Sequence, residues 1–118
     1  MRQFAIAAAA ALVVAAPLAA RAASAEHGKQ LFMQKGCWQC HGTQGQGAVT
    51  GPRLAPNPLP FEKFGSFVRT SSRAMPPYRE AVLSDDDLSD LYAHLQSIPQ
   101  PKDAKDLPLL QQWADKPK

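Results

Sequence analysis

Both cysteines of this 118-residue chain stand in one pentapeptide, Cys37-Trp38-Gln39-Cys40-His41, and one of its three histidines directly follows the second cysteine. Paired thiols beside an imidazole can form a disulfide, bind zinc, work as a redox-active dithiol or anchor a cofactor. A disulfide across so short a loop restricts the unfolded chain little and leaves His41 without a part. Zinc takes four ligands, and with no second cysteine pair His27 and His94 would have to complete the set, at spacings unlike those of zinc motifs. A thioredoxin-like dithiol needs a strand before the motif and a sheet around it, and no segment reads convincingly as a strand.

The remaining chemistry is that of a tethered cofactor. Cys-x-x-Cys-His is the attachment signature of c-type haem. Two sulfurs about one turn of chain apart reach two vinyl groups on neighbouring pyrroles and form thioethers, and His41 is then placed under the iron. A second axial ligand comes from Ser72-Arg73-Ala74-Met75-Pro76-Pro77-Tyr78. The two prolines fix the backbone as extended and remove two N–H donors, which holds the Met75 thioether in a stiff loop. Met33 lies four residues before Cys37, on the His41 side, and is a poor rival. His27 and His94 are expected at the surface, and Trp38 as a packing residue. The spacing therefore predicts a single haem c, covalent through Cys37 and Cys40, with His41 and Met75 as axial ligands.

The elements that must hold these groups are helices and long ordered loops. Eleven prolines and seven glycines are many for this length, and they concentrate between Gly42 and Pro60 and after Ile98, where they interrupt regular structure. Good helix formers run from Glu26 to Lys35, with Leu31 and Phe32 as an apolar contact. The stretch from Gly42 to Leu59 suits tight turns and is expected to wrap something. Phe61, Phe64, Phe67 and Val68 recur at helical spacing over residues 61–70, with Gly65 as a weak point. Residues 84–98 carry the clearest helix signal. Ser84 and Asp87 have capping-box spacing, three aspartates face the positive end of the helix dipole, and Leu88, Leu91, Tyr92, Leu95 and Ile98 form an apolar stripe that Pro99 ends. The fold class is all-α, with about three to four helices. The proline-rich tail, residues 99–118, holds Leu107, Leu109, Leu110 and Trp113 and is expected to strap back over the body.

Residues 1–25 differ in composition from the rest. Arg2, an apolar run from Phe4 to Ala16, Pro17 and the triplet Ala23-Ser24-Ala25 have the layout of a secretory signal peptide, with cleavage expected after Ala25. The run is too short to span a bilayer, which takes roughly 20 apolar residues. The expected product is an exported, periplasmic protein with no membrane span after cleavage. Loss of Arg2 and Arg21 lowers the formal net charge from +3 to +1, which removes the main argument for nucleic-acid binding. The remaining charge is uneven: Arg53, Lys63, Arg69, Arg73 and Arg79 dominate residues 42–80, and Asp85, Asp86, Asp87 and Asp90 dominate residues 81–98.

Four segments in this order, Gly28–Phe32, Cys37–Ala55, Ala74–Tyr78 and Ser84–Leu95, resemble a class I bacterial cytochrome c with one haem. The resemblance covers residues 26–98 and not the tail. It implies a small cytochrome c fold in which the first and last helices cross, with Gly28 and Phe32 against Leu91, Tyr92 and Leu95. It also implies that the Pro52 carbonyl, in Gly51-Pro52-Arg53-Leu54, holds the ligand imidazole and that Leu54 packs on the haem ring. No tryptophan lies in residues 42–80 to serve the propionates, a role left to Arg53, Ser71, Arg73 or Tyr78.

The implied function is electron transfer between periplasmic or membrane-bound redox proteins, by a carrier and not by an enzyme. Acidic partners would be steered by the Arg53–Arg79 stretch around an exposed haem edge. Its partners would be a dehydrogenase, an oxidase or another respiratory complex, and the chain would be a monomer or a subunit. The apolar tail favours an alternative, a haem c subunit permanently bound in a dehydrogenase or oxidase complex. A five-coordinate haem enzyme or gas sensor would require that Met75 is not a ligand.

Overall fold

Helix α1, Ala25–Gln34, begins at a side-chain cap. Ser24 is its N-cap, and the Ser24 hydroxyl accepts a hydrogen bond from the His27 backbone N–H at 3.2 Å. This satisfies one of the N–H groups that a helix start leaves without a partner. The computed structural model of the chain describes residues 21 to 114. Most of the leader expected over residues 1–25, and the end of the tail, lie outside those residues.

After α1 the chain turns at Gly36, whose φ of 78° belongs to the left-handed region that favours glycine, and enters α2, Cys37–His41. The whole attachment motif is thus one short helix, bounded on its far side by Gly42, again at φ 78°. Helix α3, Phe61–Thr70, follows Pro60 and buries Phe64, Gly65 and Val68. Leucine 88 of the next helix comes so close to Gly65 that a Cβ there would lie 3.2 Å from its Cδ2, so the glycine that weakens the local helix signal serves a close packing contact.

Helix α4, Asp85–Ser97, has both limbs of its capping box. Ser84 accepts from the Asp87 N–H, and the Asp87 carboxylate accepts from the Ser84 N–H, each at 3.1 Å. Ile98 leaves helical geometry, as the following proline requires.

Helices α1 and α4 pack along much of their length. Phe32 and Leu95 are fully buried at this crossing, and Leu31 and Leu91 nearly so. Gly28 permits the approach: a Cβ there would stand 1.9 Å from the Asp90 carbonyl oxygen. The α4 residues facing Gly28 are Asp90 and His94, one turn apart. Tyr92, expected at the same crossing, has its ring 5.2 Å from Phe61 and 5.4 Å from Phe64 of α3. It joins α4 to α3.

The structure differs from the sequence reading in four details. His94 is buried, at 8% exposure, with its ring 5.7 Å from Phe32. It lies beside the apolar stripe, where the close α1 backbone covers it. Asp90 is only 1% exposed and so does not belong to the solvated acidic face. The expected strap is not seen among the described residues of the tail: they form a 3-10 turn, Ala104–Asp106, and helix α5, Pro108–Ala114, and Leu109 and Leu110 remain 73% and 47% exposed. With α2 and α5 there are five α-helices among the described residues, where three to four were expected. The only bridge pairing among them is Ala48 with Gly51.

Candidate cofactor site

Helix α2 sets the two thiols one turn apart. Cys37 is half-buried and Cys40 is exposed, and both are free. Burial pushes the Cys37 thiol up to about 11, against a smaller lowering by a backbone hydrogen bond. Cys37 is therefore a protonated thiol at neutral pH. A thiol raised in this way is a poor thiolate nucleophile.

His41 ends the same helix and is 6% exposed. Its Nδ1 lies 2.7 Å from the carbonyl oxygen of Pro52. With Nδ1–H donating to that oxygen, the ring is fixed in orientation and Nε2 is the nitrogen with a free lone pair. The loop that brings Pro52 to the imidazole is built by hydrogen bonds. The Gly45 carbonyl accepts from the N–H groups of Leu54 and Ala55, at 2.7 and 2.9 Å, and Gly47 donates to the His41 carbonyl at 2.8 Å. The Thr50 hydroxyl donates to the Cys40 carbonyl at 3.3 Å. Gly51 sits directly against the motif, where a Cβ would be 2.6 Å from the Cys40 carbonyl oxygen and 3.0 Å from His41 Nδ1. A larger residue at 51 would push Pro52 off the ring.

Cys37, Leu54, Met75 and Tyr78 are partly buried and pack against the same core cluster. The segment bearing Met75 is tied down from three sides. The Tyr78 hydroxyl donates to the Lys35 carbonyl at 2.8 Å, and the Tyr78 N–H donates to the Val68 carbonyl at 2.9 Å. Arg69, at the last turn of α3, donates to the carbonyls of Tyr78 and Leu83 at 2.9 and 2.5 Å, and to the Asp85 carboxylate at 2.7 Å. Arg69 thus clamps both ends of the loop and is not free on the basic surface. The Tyr78 hydroxyl has its hydrogen committed to Lys35, which takes it from the set of free propionate donors.

The other two histidines are placed elsewhere. His27 is half-buried with Nδ1 2.7 Å from Asp90 Oδ2, and His94 packs on Phe32. Trp38, expected to pack, is 38% exposed, and Met33 is 42% exposed. Two surface grooves of about 400 Å³ each, one along α3 and one between α1 and the end of α4, include none of Cys37, Cys40, His41 or Met75.

Sequence reasoning missed Arg69 as a clamp and Asp90 as a buried carboxylate. The one local signal for Asp90 is its position next to Leu91, one turn before His94. For Arg69 there is no local signal, because its partners lie 9 to 16 residues away.

Two thiols, an oriented imidazole and a thioether form a donor set of the kind that binds haem c, and these residues fit that group. No helix among the described residues is long and apolar enough to cross a membrane. Neither the curated proteins nor the solved structures include a match to the chain. The family model described as cytochrome c oxidase, cbb3-type, subunit III matches residues 23–95, the span from the start of α1 through the buried part of α4. The chain belongs to that family, and its α1–α4 body is a c-type cytochrome domain that serves electron transfer.

Proposed function

We propose that the chain passes single electrons between redox proteins outside the cytoplasmic membrane, through one haem c attached at Cys37 and Cys40 and ligated by His41 and Met75. The observation that carries this reading is the His41–Pro52 hydrogen bond at the end of the two-thiol helix. It presents an oriented imidazole beside the attachment sulfurs.

Each residue has a distinct task. Cys37 and Cys40 would hold the haem through thioethers, each thiol adding its sulfur to one carbon of a vinyl group and its hydrogen to the other, with no net change in redox state. His41 would hold the iron through Nε2, and the Pro52 carbonyl, 2.7 Å from Nδ1, keeps the imidazole in the tautomer that leaves Nε2 free. Met75 supplies a soft thioether that favours the reduced state and raises the potential relative to a second imidazole. Leu54 supplies apolar contact that excludes water. Haem supplies the one-electron couple when bound.

The test is expression with a haem-attachment system, followed by intact mass and visible spectra of the exported protein. One haem added to the polypeptide mass, lost in a Cys37→Ser/Cys40→Ser double variant, is the expected result. Colourless protein with two free thiols would reject the reading.

A second reading, a permanently bound subunit of an oxidase, is favoured by the family's description and by the exposed Leu109 and Leu110 on α5. Under it, removal of residues 100–118 abolishes co-purification with a membrane oxidase and leaves the haem spectrum unchanged. Equal recovery with and without the tail would favour a free carrier.

A further inference from the structure

Asp90 is a carboxylate in the middle of a packed helix, and a buried charge is tolerated only when paired. Its partners all come from one short stretch of chain. The Ser24 N–H donates to Oδ1 at 2.5 Å, Arg21 Nη2 donates to Oδ2 at 2.8 Å, and His27 Nδ1 lies 2.7 Å from Oδ2. Ser24 has two further tasks. Its hydroxyl caps the His27 N–H, and its carbonyl accepts from the Gly28 N–H at 2.9 Å to close the first helical turn.

Cleavage after Ala25 would remove Arg21 and Ser24 together. Oδ1 of a carboxylate only 1% exposed would lose its donor, and α1 would lose its cap at the point where Gly28 crosses α4. The sequence offers another small-x-small site a few residues upstream, Ala20-Arg21-Ala22, which meets the same requirement for small residues at a leader cleavage site. The family match also begins at residue 23.

We propose that the export leader is cut upstream of Ser24, at the Ala22–Ala23 bond, so that the mature N-terminal residues dock on Asp90 as part of the fold. Water adds across that peptide bond, leaving a carboxylate on Ala22 and an α-ammonium on Ala23. The new cation lies one residue from the Ser24 N–H that binds Asp90, and it replaces the charge lost with Arg21. The inference rests on the reading of residues 1–25 as a removable leader.

Export of the full-length chain from a bacterial host, with N-terminal sequencing of the haem-loaded product, separates the outcomes. Ala23 as the first residue is expected. A start at any other residue after Met1 would overturn the proposal and leave the leader reading intact, and a product that retains Met1 would overturn both. A second measurement tests the docking: deleting residues 23–25, so that Glu26 follows Ala22, should lower the Tm of the exported protein by several degrees. An unchanged Tm would show that Asp90 does not need these residues.

Discussion

The His41 imidazole and the Met75 thioether differ in how their surroundings hold them. His41 is fixed by one short hydrogen bond of its own, with Gly51 close to Nδ1, whereas Met75 is held indirectly, by a proline-flanked loop that Tyr78 and Arg69 tie down. Met75→Ala should therefore keep the haem attached, lower the midpoint potential and allow carbon monoxide to bind the reduced protein. An unchanged potential in a redox titration would remove Met75 as a ligand.

A second residue-scale effect concerns acid stability. Burial lowers the pKa of His94 from 6.5; Lys29 acts in the same direction and Glu26 opposes it. The unfolded chain then takes the proton more readily than the folded one. The stability tied to neutral His94 is present above about pH 6.5 and is lost as pH falls from there towards the lower folded value. Asp90 acts in a more acidic range. Burial by itself would raise its pKa, but the hydrogen bonds from Ser24, His27 and Arg21 outweigh that and bring it below 3.8. Its contribution is lost only as pH falls below that ordinary value. Urea midpoints measured between about pH 7 and about pH 5 should fall, and His94→Leu should flatten the slope. A wild-type slope retained in the variant would assign the effect to another group.

At the scale of elements, the cytochrome body depends on a few contacts between segments distant in sequence. Gly28 lets α1 lie on α4, Tyr92 joins α4 to α3, and Arg69 at the end of α3 holds the loop that carries Met75. Hydrogen bonds to charged groups are worth about 1.5–3 kcal/mol each, and Arg69 makes three contacts while only 21% of its side chain is exposed. Arg69→Leu should thus loosen residues 71–84 without disturbing α2. Haem content should stay at the wild-type level while the reduced protein gains partial carbon monoxide binding and thermal stability falls. Wild-type ligand binding would mean that the prolines alone hold Met75.

At the scale of the whole molecule, charge and apolar surface bear on docking. Arg53, Lys63, Arg73 and Arg79 are exposed, while Arg69 is committed internally. The proposed steering surface thus has four free cations from residues 42–80. If they guide acidic partners, the bimolecular electron-transfer rate should fall as ionic strength rises, since the screening length is about 10 Å at 0.1 M and about 3 Å at 1 M. A rate independent of salt in stopped-flow measurements would exclude that surface as the guide. Leu109 and Leu110 of α5, 73% and 47% exposed, add apolar surface to the same question.

The family and the all-α class were legible in the sequence because their signals are local. The attachment motif occupies five consecutive residues, the prolines beside Met75 are adjacent to it, and the capping box of α4 spans four positions, so neighbouring residues alone determine these features. In the same way α1 followed from its run of helix formers, α3 from the spacing of its apolar residues and α4 from its capping box and apolar stripe. Tertiary structure decided which polar groups were buried. Asp90 and His94 look like members of a solvated helix face until Gly28, more than sixty residues earlier, brings the α1 backbone against them. Arg69 looks like one cation among several until the return of the chain places two carbonyls and a carboxylate within its reach. Burial and pairing of a charge depend on what the fold sets opposite it, and helical periodicity carries no record of that partner.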